Sequence, residues 1–149
     1  MRSWPGVGLL VLHAMAAALA AIATDARAAP EAGTRHSWSA SVNGPALYGR
    51  GQRTVSPPML PSGNLPQSEG VITSVRWRYS FAATPPTYLQ AYLCNAQRCV
   101  MLPQSEGKTD AFEGDDATQG FVFAFRLPGQ GAVAPVLQGK SNQVIVGFR

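Results

Sequence analysis

The sequence predicts an all-β domain: an antiparallel β-sandwich, or a partly open barrel, of about six or seven strands with one disulfide in a hairpin. Three observations predict it. Apolar and polar residues alternate with a period of two in segment after segment. Clusters of Gly, Pro, Asn and Ser punctuate those segments as turn-formers do. No stretch of about ten residues or more carries a helical period.

The stretch "HSWSASV" around Trp38 reads as the first strand. Residues 50–70, "RGQRTVSPPMLPSGNLPQSEG", hold four prolines and three glycines among 21 residues, and read as a long irregular connection or a mobile flap. "VITSVRWRYSF" follows as the clearest amphipathic strand, with Val71, Val75, Trp77, Tyr79 and Phe81 on one face and Ser74, Arg76, Arg78 and Ser80 on the other. In "LQAYLCNAQRCVML", Leu89, Ala91 and Leu93 alternate with Tyr88, Gln90 and Tyr92, and beyond the turn "NAQR" Val100 and Leu102 continue the apolar face. Placing Cys94 opposite Cys99 sets Leu93 against Val100 and Ala91 against Leu102, so one register serves both the sulfurs and the apolar face. "FVFAFRL" turns Phe121, Phe123, Phe125 and Leu127 inward, and "QVIVGFR" does the same with Val144, Val146 and Phe148. "AVAPVL" is a weak strand that Pro135 confines to an edge or a bulge.

The start of the chain bears on compartment. Arg2, the uncharged apolar run at residues 8–23 and the small residues Ala26 and Ala28 form the pattern of a secretory signal peptide cut after residue 28, with a cut after Ala23 as the alternative. The apolar run is shorter than the roughly 20 residues a membrane span needs, so the expectation is a single β domain over residues 29–149 with no membrane insertion after cleavage. In an oxidising compartment the two cysteines form a disulfide. Their C-x4-C spacing is not that of a redox pair, and zinc would need more ligands than Cys94, Cys99 and His36, the one histidine left after cleavage. No metal and no cofactor are expected. A loop this short removes only about 2 kcal/mol of unfolded-state entropy, so the bond pins a register more than it holds a domain.

The formal charge of +4 is spread along the chain without a basic run, which argues against a nucleic-acid partner. Neither G-x-S-x-G nor H-E-x-x-H is present, and an enzyme is not expected. "TDAFEGDD" lacks the spacing of a calcium loop and reads as a solvated acidic loop. Binding is the remaining option. Arg76 and Arg78 form a positive stripe on an outer strand face, either idle in water or read by a partner. Tyr88 and Tyr92 fall on the face opposite Leu89 and Leu93, where they form a sugar-stacking platform unless a second layer covers them. In "SNQVIVGFR" a polar triplet with Asn142 enters an apolar strand that runs to Arg149; this is a strand tied into a sheet or a docking edge.

"VRWRYSF" from Val75, "YLCNAQRCVML" from Tyr92 and "SNQVIVGFR" from Ser141, in this order behind a signal peptide, resemble the FlhE family of periplasmic flagellar proteins. The similarity is good over residues 71–149 and loose over the segment before them with its proline-rich stretch, and "KTDAFEGDDATQG" reads as a variable loop. It implies a periplasmic accessory protein acting on the flagellar type III export apparatus or the rod, limiting proton leakage or assisting assembly. A wall-binding module that takes glycan or peptidoglycan through Tyr88, Tyr92 and Arg78 is the alternative from a different class.

Overall fold

The computed structural model describes residues 36–61 and 70–149. The signal segment at residues 1–28, the stretch at 29–35 and residues 62–69 of the proline-rich connection lie outside the described residues. The strands are β1 (His36–Asn43), β2 (Ala46–Gly49), β3 (Arg53–Val55), β4 (Ile72–Phe81), β5 (Gln90–Cys94), β6 (Cys99–Met101), β7 (Glu106–Thr109), β8 (Val122–Arg126) and β9 (Ala132–Phe148). They form two antiparallel sheets that do not close into a barrel. One runs β1-β9-β4-β7 with β2 also on β9; the other runs β3-β8-β5-β6. The alternation read from the sequence becomes the core: Trp38, Val75, Trp77, Tyr79, Val144 and Val146 from the first sheet meet Leu93, Phe121, Phe123 and Phe125 from the second. Tyr79 joins the layers, its ring edge-on to Phe123 at 5.9 Å and to Phe125 at 5.2 Å, a favoured aromatic geometry.

The hairpin has the expected register. Cys94 pairs with Cys99, Leu93 with Val100 and Tyr92 with Met101, and the Leu102 amide donates to the Ala91 carbonyl at 2.8 Å. The disulfide Cys94–Cys99 closes it.

Several expectations are corrected. Nine strands form among the described residues, because β2, β3 and β7, of 4, 3 and 4 residues, are too short to show a period. Part of the proline-rich stretch is not a flap: Arg53, Thr54 and Val55 pair with Arg126, Phe125 and Ala124, and Met59, fully buried, bridges Phe121. "AVAPVL" is not a separate strand but the first part of the 17-residue β9, where Pro135 sits at the register shift against β2. A bulge between Ile72 and Ser74 reverses the phase at the start of β4, so that Ile72 is buried and Val71 bridges Asp116 instead of sharing the Val75 face.

The acidic loop is the largest correction. Phe112 within it is fully buried and lies edge-on to Phe121. The buried Asp115 carboxylate accepts from Arg98 Nη2 at 2.7 Å and Asn95 Nδ2 at 2.8 Å, both on the cysteine hairpin. The Asp115 carbonyl accepts from the Ile72 amide, and the Ala117 carbonyl accepts from Trp38 Nε1, each at 2.8 Å. Thr118 donates both its hydroxyl and its amide to Asp116, which holds that carboxyl below its ordinary pKa. The loop therefore clasps β1 and β4 of one sheet to the hairpin of the other.

Candidate binding surfaces

Arg76 and Arg78 separate from Tyr88 and Tyr92 onto the outer faces of the two sheets. On the first, register places Ser39, Ile145, Arg76 and Lys108 side by side across β1, β9, β4 and β7, and Ser41, Gln143, Arg78 and Glu106 in the next row. Arg78 is paired: Nη2 reaches Glu106 Oε2 at 2.9 Å, with both side chains well exposed. Arg76 faces Lys108 directly, two like charges in cross-strand contact, a destabilising arrangement. An open depression of about 610 Å³ lies over these rows.

On the second sheet, β5 and the turn before it place Tyr92 and Tyr88. Tyr88 is about half exposed; its hydroxyl accepts from Arg50 Nη1 at 3.2 Å, and the Arg50 guanidinium stands 5.8 Å from the ring centroid, a cation–π geometry. Tyr92 is half-buried in the row between Ala124 and Met101. Arg53 points across this face, with Nη2 at 3.3 Å from Cys94 Sγ and 3.5 Å from Cys99 Sγ.

Two expectations about the sites change here. Arg78 does not join Tyr88 and Tyr92, because β4 and β5 belong to different sheets. The end of the chain offers no docking edge, because β9 lies between β1 and β4 with partners on both sides. Asn142 is only 1% exposed and turns inward, in phase with Val144, with its Nδ2 lacking a partner among the described residues. Arg149 is exposed, and its backbone is fixed by reciprocal bonds with Val71 at 3.0 and 3.1 Å. The sequence reading passed over Arg50, Arg53 and Arg126. Arg126 carried a signal, the polar phase of "FVFAFRL", whereas Arg50 and Arg53 sit among turn-formers where no period marks a face.

Comparison with known proteins agrees with this architecture. The family model described as "Flagellar protein FlhE" matches residues 44–149, which includes β2 and β3 before Val71. The Flagellar protein FlhE of Escherichia coli strain K12 is 38% identical over 112 residues, covering 75% of this chain and 84% of the relative. That of Salmonella typhimurium strain LT2 has the same identity and coverage, and that of Yersinia enterocolitica is 33% identical over 113 residues, 76% of this chain and 81% of the relative. The solved structure titled "Crystal Structure of FLHE" superposes with a TM-score of 0.73 at 35% identity, covering 77% of this chain and 97% of that one. The same sandwich is thus found where the same residues recur, and the chain belongs to the FlhE family of flagellar proteins.

Proposed function

We propose that this protein works in the periplasm as a flagellar accessory factor, acting by protein contact on the export apparatus or the rod and limiting proton leakage or assisting assembly. Family membership supports the flagellar setting. The signal-peptide pattern and the disulfide support an oxidising compartment outside the cytoplasm. The observation that carries the mode of action is the placement of the exposed Arg, Lys and Tyr side chains on two broad sheet faces, a form suited to a macromolecular partner. Cations presented at a channel mouth also disfavour proton passage.

Cells lacking the protein are expected to acidify internally faster when the medium is made acidic, as read with a cytoplasmic pH-sensitive fluorophore. Deleting the export gate as well restores the normal rate, whereas deleting the motor's stator does not. Equal acidification with and without the protein, in cells shown to be building flagella, rejects the leak-limiting role. A wall-binding module predicts no difference among these strains.

A further inference from the structure

The outer face of the β3-β8-β5-β6 sheet carries two adjoining rows of different chemistry. Val55, Ala124, Tyr92 and Met101 form an apolar row across all four strands. Its two ends are open, Val55 at 47% and Met101 at 60% exposure. The neighbouring row is Arg53, Arg126 and Gln90. No Asp or Glu occurs in these strands, "RTV", "QAYLC", "CVM" and "VFAFR". The guanidinium partners are neutral: Arg53 meets the disulfide sulfurs, and Arg126 Nε donates to the Gly51 carbonyl at 3.3 Å. Arg50 over Tyr88 adds a third positive group. A shallow depression of about 260 Å³ lies at the boundary of the rows, lined by Arg53, Gln90, Tyr92, Cys99, Phe125 and Arg126. Exposed Met and half-exposed Tyr beside Arg with no carboxylate partner among the described residues is the composition of interface centres.

We propose that this face docks an extended acidic segment of a partner protein. A segment lying along the boundary between the rows turns alternate side chains to opposite sides. Its carboxylates then meet Arg53 and Arg126, with geometry open to bidentate pairing, and its apolar side chains cover Val55 and Met101. An anionic glycan fits less well, because a stacking platform needs an open aromatic face. Here Arg50 stands over the Tyr88 ring, and Tyr92 is hemmed in by its row. The inference rests on the protein-contact reading above and adds the face and the chemistry of the partner.

The test titrates the full chain, purified from cells, with three probes: a short synthetic peptide alternating Glu and Leu, its Gln and Leu counterpart, and cell-wall sacculi. Anisotropy at low salt should show binding to the Glu peptide, weakened about tenfold or more in Arg53→Glu, Arg126→Glu and, independently, in Met101→Glu. Lys140→Glu, a single reversal at an exposed residue of β9 in the other sheet, should change it by less than about twofold. Equal affinity for the two peptides, or undiminished binding by the Arg53 and Arg126 variant, overturns the proposal. So does binding to sacculi alone, which would make the occupant a glycan. In flagellated cells a photoreactive residue at position 101 should capture a flagellar protein that one at position 39 does not. Capture from position 39 alone overturns the face assignment and leaves the proposed function standing; capture of no flagellar protein from either position rejects the protein-contact reading as well.

Discussion

The two sheets hold together in different ways, and the contrast indicates where recognition resides. The first depends on length: β9 runs 17 residues and pairs with β1, β2 and β4, and of its outer cations Arg78 is answered by Glu106 within the sheet while Arg76 faces Lys108. The second has strands of only 3, 5, 5 and 3 residues; a disulfide fixes its hairpin, Asp115 anchors it from outside, and its outer arginines have no carboxylate partner among the described residues. Exposed ion pairs add little to stability in either sheet, so leaving cations unpaired costs the fold little while keeping them available to a partner.

The contrast breaks most severely at Gly139. Here β9 leaves β4 and β1 to run with β2, and a side-chain carbon on Gly139 would collide with the Pro45 carbonyl and the Gly44 backbone. Backbone on both sides cannot yield as a flexible side chain would. Gly139→Ala should therefore lower stability by roughly 3 kcal/mol, measured from the denaturant midpoint. A midpoint equal to that of the parent would show that the long strand does not depend on this close approach.

The covalent staple comes next. Cys94→Ala, Cys99→Ala should fold and lose about 2 kcal/mol, and the parent should show no free thiol when alkylated without reductant. Hydrogen exchange should quicken more in β5 and β6 than in β9. Equal quickening in both sheets would mean that the staple supports the whole sandwich.

The smallest effect is expected for Arg78→Glu, which sets a carboxylate opposite Glu106. Both side chains are largely in water, at 69% and 63% exposure, so the loss should stay below about 1 kcal/mol. A thermal midpoint that collapses would make Arg78 a structural residue of the first sheet.

The parts of this molecule legible in its sequence were those with enough residues to show a period. The Trp77 and Phe123 strands were, and the hairpin was, because sulfur pairing and apolar alternation required the same register. Strands as short as "RTV" and "EGKT" have no period to read. The acidic loop misled for a different reason: its composition is that of a solvated turn, and only the tertiary fold shows Phe112 in the core and Asp115 closed over by Arg98 and Asn95. Asn142 misled likewise, since a polar residue entering an apolar strand suggests surface, yet it keeps the inward phase of Val144. The arginine row was invisible because its members come from β3 and β8, about 70 residues apart, and only their pairing makes them neighbours.

The placement of β9 also constrains the order in which the fold can be made. Ser41 contacts Ser141 across a separation of 100 residues, so β1 is synthesised long before the strand that will pair with it. Closing so large a loop is entropically slow, and sheets built on such contacts fold in milliseconds to seconds. Until then β1 is an eight-residue strand without a ladder, open to pairing with any other chain. Its alternate residues Ser37, Ser39 and Ser41 make one side of it hydrophilic throughout that interval. These serines, of which only Ser41 meets a side-chain partner among the described residues of the finished sheet, thus do their protective duty earlier, by keeping a waiting strand soluble while the rest of the chain arrives.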